Sequence, residues 1–398
     1  MPTAVDLFAG CGGLSLGFMK AGFDVVAAFE RWGVAADCHE ANFSHPLFRM
    51  DLSDSEAAAE VVRGFSPDAV IGGPPCQDFS HAGKRVEGGR ASLTESFAHV
   101  VASVRPKWFL MENVDRAQKS AAFARARIVF EEAGYGLTER VLLASRCGVP
   151  QRRRRFFCAG ALGEEDGWLD EELDAGLSEH EMTVRDYLGD GLGVEFYYRH
   201  PRNYNRRGVF SIDEPAPTMR GVNRPVPKGY PGHPDDASPV TPELRPLTTL
   251  ERSLIQTFPA DFKWTGSKTD REQMIGNAVP VNLARYVAEA MLSHIEERER
   301  ACPAFPSDAE AFASWLVAEK GMGARSAGDV SSRLSRADGI LPLSSAQSPS
   351  VYLALLEETE AFASLRSDVK SQLRRAVRLY AEFSGRQSAA CRLDASRA

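Results

Sequence analysis

Over the first 160 positions the chain alternates between two textures. Short apolar runs read as buried strands: Ala4 to Phe8, Phe23 to Phe29, Ala69 to Gly72, Trp108 to Met111, Gly136 to Ala144 and Arg155 to Ala159. Between them, stretches at about 33–43, 54–64, 92–104 and 116–134 carry apolar residues every three or four positions and predict helices. Strand–helix alternation of this kind predicts an α/β protein with a doubly wound, mostly parallel sheet. From about 185 the pattern breaks down, and residues 199–246 are rich in Pro, Gly, Arg and Asn, as expected of a loop-rich insert. Helical periodicity returns at 248–257 and 280–299, and Pro303 and Pro306 mark a boundary. Beyond it, 307–385 reads as amphipathic helices with apolar positions at Phe312, Trp315, Leu316, Leu353, Leu356, Leu373, Val377 and Tyr380. The last residues, from about 386, read as an unstructured tail. The expected organisation is therefore 1–184, an insert at 185–246, a return at 247–300 and a helical module at 307–385.

Composition narrows the class. The 398 residues are 43% hydrophobic and 25% charged, enough for a sizeable core and more than one domain. No apolar run is long enough to cross a bilayer, and the start MPTAVDLFAG has no basic-then-apolar leader, so a cytoplasmic protein is expected. Seven cysteines without a CxxC pair or a Cys/His cluster argue for free thiols and against structural zinc. The formal charge of −7 would disfavour a nucleic-acid partner if it were evenly spread. It is not. Residues 164–174 hold seven acids, whereas 199–228 hold seven bases against Asp213 and Glu214. The acidic run reads as a solvated face, and the basic run as either a solvated face or a phosphate-binding patch.

Four strings carry candidate chemistry. Asp6-Leu-Phe-Ala-Gly-Cys-Gly-Gly13 puts a glycine-rich turn straight after a strand, and Glu30 ends the next strand twenty residues beyond Gly10. That spacing suits a ligand resting on backbone with its ribose hydroxyls on the acid, although a plain strand–helix turn also fits. The Gly-Lys-Ser/Thr ending of a P-loop is missing, and the loop is not a clean GxGxxG. Ile71-Gly-Gly-Pro-Pro-Cys76-Gln follows a strand, and its prolines hold a cysteine on a stiff loop suited to nucleophilic attack. Glu112, in Glu112-Asn-Val114, ends an apolar strand, where low-dielectric surroundings favour the protonated carboxyl; a helix-start acid is the plainer alternative. In Gln151-Arg-Arg-Arg-Arg155 the period of a strand puts Arg153 and Arg155 on one face and Arg152 and Arg154 on the other.

Together with Gly276-Asn-Ala-Val-Pro280, these strings stand in the order found in the DNA cytosine-5 methyltransferase family of bacterial restriction–modification systems, which residues 3–298 resemble. The resemblance implies a Rossmann-like methyltransferase fold with a small loop-rich target-recognition domain, extended here by the C-terminal helices. It also implies S-adenosyl-methionine as methyl donor and double-stranded DNA as substrate. A cognate restriction endonuclease acting separately, a monomeric state and no membrane association are further expectations. By position, Cys76 of the Pro75-Cys76 pair would attack the cytosine ring. Glu112 would contact its N3 and amino group, and Arg153 and Arg155 are the two arginines of Gln-x-Arg-x-Arg, so that Cys76, Glu112, Arg153 and Arg155 form the catalytic set. Phe8, Gly10, Gly12, Gly13, Glu30, Asp51, Pro74 and Asn277 would hold the cofactor. Ser80 and Arg90, on a glycine-hinged loop at roughly 78–95 that also carries Lys84 and Arg85, and Arg206, Arg207, Arg220 and Arg224 of the insert, are the candidate DNA contacts. Arg245-Pro-Leu-Thr-Thr-Leu-Glu251 resembles the segment that supports the recognition region, and Thr218-Met219 the family's Thr-Leu pair. Arg31 departs from the family pattern beside Glu30. Two rivals share much of this pattern: a tRNA cytosine-5 methyltransferase, and an inactive DNA-binding regulator. Phe312-Ala-Ser-Trp and Ala376-Val-Arg-Leu-Tyr resemble, at few positions, the helical DNA-gripping domain of tyrosine recombinases; a helical cap or partner-binding unit fits them as well.

Overall fold

The apolar runs of the first 160 residues pair into a single seven-stranded sheet in the computed structural model, which describes residues 1–75, 92–201, 203, 205–301, 309–345 and 349–395. The chain divides into two units, Met1–Leu292 and Ser293–Ala398. The first begins β1 (Thr3–Leu7), α1 (Gly13–Ala21), β2 (Asp24–Phe29), α2 (Gly33–Glu40), β3 (Leu47–Phe48), α3 (Ser55–Arg63) and β4 (Ala69–Gly72). It continues with α4 (Leu93–Val104), β5 (Trp108–Val114), α5 (Ala121–Glu132), β6 (Tyr135–Leu143), β7 (Gln151–Arg152) and β8 (Arg154–Leu162). Then follow α6 (Asp170–Ala175), α7 (Val184–Leu188), β9 (Phe196–Tyr198), β10 (Val209–Ser211), β11 (Ala216–Pro217), α8 (Thr249–Ile255), α9 (Lys268–Asn277) and α10 (Val281–Ala301).

The strand order is β3-β2-β1-β4-β5-β8-β6, parallel from β3 to β5, with β8 antiparallel to both of its neighbours. The expected doubly wound, mostly parallel sheet is borne out. Its order reverses between β1 and β4, so the loops leaving those strands open into the crevice where such sheets bind ligands. Alternation within the strands sorts the two faces. Val5 and Leu7 join the core that α3, α4 and α5 cover through Val62, Phe97, Val101 and Phe130. Asp6 points to the other face, where Ser15 of α1 donates to its carboxylate at 2.5 Å.

Local signals set the helix starts. Ser92 and Glu95 close a capping box on α4, and Arg125 of α5 grips the same Glu95 at 2.8 Å, tying the two helices together. The helix expected at 116–134 starts later: Asp115–Lys119 makes a 3-10 turn, and Ser120 then caps α5 by accepting from the Phe123 amide at 3.1 Å. Helix α9 was not anticipated because it has little apolar periodicity; its Ser267–Asp270 capping box was the available signal.

In the second unit, α11 (Ala309–Ala318), α12 (Ala324–Asp338), α13 (Pro349–Glu358), α14 (Glu360–Ala363) and α15 (Ser367–Ala395) enclose a core of Phe312, Leu316, Leu334, Leu356, Leu373 and Val377, among others. Trp315, Leu353 and Tyr380 pack against it half-buried. The unstructured tail expected from about 386 is corrected: α15 runs on to Ala395, through alanine, leucine, arginine and glutamine, which favour helix. Among the described residues no helix is long and apolar enough to cross a membrane, and no group of three metal-ligating side chains occurs.

Gly160 of β8 lies opposite Phe109 of β5, whose ring stacks on Phe130 at 4.1 Å, and a Cβ at Gly160 would overlap that ring. Gly160→Ala is expected to cost about 1–3 kcal/mol by overpacking, read as a lower urea midpoint with little change in far-ultraviolet circular dichroism.

Candidate functional site

Ladder register brings the motifs together. Phe29, Leu7, Gly72 and Met111 lie level across β2, β1, β4 and β5. The next residues, Glu30, Phe8, Gly73 and Glu112, therefore emerge along one edge of the sheet. Gly72 has no alternative there, since a Cβ would overlap the Leu7 carbonyl.

The loop after β1 turns through left-handed conformations at Phe8 (φ 60°), Gly10 (φ 57°) and Gly12 (φ 95°). Such a φ at Phe8 costs a non-glycine residue energy and marks a constrained site. Glu30 locks the turn, accepting from the Gly10 amide at 2.8 Å and the Trp32 amide at 2.6 Å. A Cβ at Gly10 would meet nothing within 4 Å, so a ligand can lie on this backbone. At Gly13 it would overlap the Val279 carbonyl, so the segment after α9 closes directly on the loop. Open space above Gly10 and a half-exposed carboxylate with spare lone pairs fit a ribose-bearing cofactor. Asp51 accepts from the Ser53 amide at 3.0 Å and pairs with Arg31 at 2.7 Å, which gives the unfamiliar Arg31 a partner at the rim. Asn277 is exposed at the end of α9.

Glu112 and Arg155 are diagonal neighbours across the β5–β8 ladder, Glu112 lying opposite Phe157 and Arg155 opposite Val114. Their side chains are only 10% and 13% exposed, and Arg155 Nε lies 2.8 Å from Glu112 Oε1. Burial pushes the Glu112 carboxyl above its ordinary range, opposed by the charges of Arg155 and Arg153. Asn113, which the sequence reading passed over, donates to the Pro74 carbonyl at 3.0 Å. It thereby ties the tip of β5 to the loop that leads into Cys76. Pro74 is buried and Pro75 exposed. Cys76, Ser80, Lys84, Arg85 and Arg90, with the hinge glycines, lie outside the described residues.

Arg155 opens onto a cleft of about 770 Å³. One wall brings Arg152, Arg154 and Arg155 from β7 and β8; the other brings Arg199, Arg206, Arg207 and Arg220 from the insert. Against these seven cations the lining offers the carboxylates of Asp115 and Glu181. The insert is fastened to the segment that leads into β8: β11 pairs parallel with β7 in a two-stranded sheet of their own, and the Thr218 hydroxyl donates to the Arg152 carbonyl at 2.8 Å. Asp236 organises the insert, accepting from the Gly208 amide at 2.8 Å, the Val209 amide at 2.9 Å and the Tyr230 hydroxyl. Arg245 and Glu251 make a two-pronged pair at 2.7 Å at the foot of α8, and Arg252 and Glu272 a buried one.

The expected roles of the arginines divide. Arg206 is exposed in the cleft, and Arg220 lines it while donating to the His200 carbonyl. Arg207 lines the cleft too, but Glu214 holds its guanidinium two-pronged above the Phe210 ring, which commits it to the insert's own framework. Arg224 is exposed outside the cleft lining. Arg153 departs furthest from expectation. It is fully buried, and its guanidinium donates to the carbonyls of Met219 at 3.0 Å, Gly276 at 2.9 Å and Ala278 at 3.2 Å. Burial alternates along the string, with Arg152 and Arg154 exposed and Arg153 and Arg155 more buried, but Arg155 lines the cleft together with Arg152 and Arg154, whereas Arg153, between β7 and β8, does not.

Residues 3–293 match the family model described as C-5 cytosine-specific DNA methylase. Type II methyltransferase M.HindV of Haemophilus influenzae is 57% identical over 295 residues, 74% of this chain and 97% of that protein. Type II methyltransferase M.HgiDI of Herpetosiphon aurantiacus is 52% identical over 294 residues, 74% of this chain and 95% of that protein. The crystal structure of the S. pombe Dnmt2 methyltransferase shares the fold, with a TM-score of 0.56 at 19% identity, over 74% of this chain and 99% of that one.

Asp6, in β1 just before the glycine-rich loop, is fully buried, and burial pushes its carboxyl up to about 7 from 3.8. Between those values the folded protein holds a proton that the unfolded chain has lost, so stability falls as pH rises. Asp6→Asn is expected to flatten that fall between pH 4 and 7, seen by comparing urea midpoints of the two proteins across the range.

Proposed function

This chain belongs to the C-5 cytosine-specific DNA methylase family, and from that premise we propose that it methylates C5 of a cytosine flipped out of duplex DNA, with S-adenosyl-methionine as donor. The observation that carries the reading is the Glu112–Arg155 pair, level with the cofactor loop and opening into an arginine-lined cleft.

The cleft suits duplex DNA because guanidinium groups outnumber carboxylates along its lining, even with Arg207 held by Glu214 and Arg155 by Glu112. Extruding one base costs a few kcal/mol, which such phosphate contacts repay. The flipped cytosine presents an amino donor, N3 and O2 along one edge. Glu112 accepts from the amino group and, with its proton affinity raised by burial, shares a proton with N3. Arg155 donates to O2. Both favour the charge that builds on the ring when the Cys76 thiolate bonds to C6 and pushes electron density to C5. Gly10 and Glu30 would hold S-adenosyl-methionine, which when bound would supply an electrophilic methyl group on its sulfonium. Once C5 carries the methyl group and a water has taken the C5 proton, Cys76 leaves and the aromatic ring is restored. Phe8, Gly12, Gly13, Asp51 and Asn277 complete the cofactor's surroundings, and Arg206 and Arg220 contact DNA in the cleft. We place it in the cytoplasm, protecting host DNA from a separate restriction endonuclease, a role that fits the type II methyltransferase names of the two relatives.

Bisulfite sequencing of plasmid DNA exposed to the purified protein and S-adenosyl-methionine is the direct test. We expect protected cytosines in one short sequence context, and no transfer to tRNA assayed in parallel; unprotected plasmid would overturn the reading. Cys76→Ser is expected to abolish transfer while the protein still binds the mapped duplex. Glu112→Gln should lower kcat by about 10²–10³-fold, measured by tritiated methyl transfer to that duplex.

A further inference from the structure

Arg153 sits at the centre of a buried polar cluster that joins two walls of the site. On the DNA side, Thr218 and Arg220 line the cleft, and Met219 between them is held at both backbone atoms. Its amide donates to Gln151 Oε1 at 2.8 Å, and its carbonyl accepts from Arg153. On the cofactor side, the end of α9 and the residues after it offer three carbonyls to buried side-chain donors. Arg153 donates to Gly276 and Ala278, and Gln256 to Ile275 and Ala278. Gln151 Nε2 donates to Gln256 Oε1 at 2.6 Å, closing the cluster. Backbone presses on backbone at both ends: a Cβ at Gly276 would overlap Arg220 and Gly221, and one at Gly13 would overlap the Val279 carbonyl.

We propose that Arg153 is a positioning residue: it sets the segment 275–279 against the cofactor loop and in register with the DNA wall at 218–221, so cofactor affinity depends on a side chain that faces neither ligand. Two of its donors span three carbonyls in two chain segments. A lysine offers one compact ammonium and cannot reproduce that planar reach. Because the cluster belongs to both walls, a ligand that settles one of them restrains the other.

The inference rests on the methyltransferase reading, and the probe separates the two. S-adenosyl-homocysteine, titrated into the wild-type protein by calorimetry, must bind; if it does not, the methyltransferase reading fails first. Given binding, Arg153→Lys is expected to weaken it by about five-fold or more at a temperature where both proteins are folded, whereas Arg155→Lys lowers kcat and leaves that affinity within two-fold. Arg153→Lys affinity within two-fold of wild type would overturn the proposal. Gln256→Met, expected to act in the same direction, decides by the same criterion if Arg153→Lys does not fold. The wild-type protein supplies a variant-free check: S-adenosyl-homocysteine alone should slow amide hydrogen exchange at 218–223, and unchanged exchange there would also overturn it.

Discussion

Everything at this site rests on the parallel ladder from β2 to β5. Its hydrogen bonds hold Phe29, Leu7, Gly72 and Met111 level, so four loops from distant parts of the sequence begin at the same height. A slip of one residue in any pairing would turn that strand's side chains to the opposite face and move its exit by over 3 Å, about the length of one residue in a strand. The register is protected by the packing on both faces. Gly72 admits no side chain, and β4 is buried at every residue. Stability of the sheet and geometry of the site are in this respect one property.

Burial then does chemical work along that edge. Glu112 and Arg155 are brought into each other's reach by the antiparallel β5–β8 ladder, where water is largely excluded. In such surroundings a charge pair is strong but its members are costly to ionise, which leaves the carboxyl readier to hold a proton. A few residues away the same condition has another outcome. Arg153 is buried completely and spends its donors on backbone carbonyls, so two neighbouring arginines of one motif differ in role because one meets the cleft and the other meets the chain.

The cleft resolves the apparent conflict between an acidic protein and a polyanionic substrate. The net charge of −7 is a property of the whole surface, whereas phosphate contact depends on local potential. Much of the acidic run at 164–174 is occupied in pairs, Asp166 with Arg127 and Asp170 and Asp174 with Arg140, away from the cleft lining. The basic residues of the Gln151–Arg155 string and of the insert converge on one opening because β11 pairs with β7 and so holds the insert against that string.

The sequence by itself determined the α/β class, the family, the motif strings and six of the eleven strands of the described residues, four of them to within a residue, because hydrophobic period and short glycine, proline and charge patterns are local signals; the two- and three-residue strands are too short to leave a period. It also carried the alternation of burial along the four arginines, since that follows from the strand's period of two, but not that Arg155 would join Arg152 and Arg154 at the cleft. Which of Arg153 and Arg155 would meet the cleft depended on a two-strand break and on carbonyls contributed by residues 219, 276 and 278. Gln256 reads as an ordinary polar residue, and Asn113 and Gln151 as motif positions with no role assigned, until tertiary packing buried them and gave each a backbone or amide partner. Hydrogen-bond partners far apart in sequence leave no periodic trace, and so only the folded chain decided them.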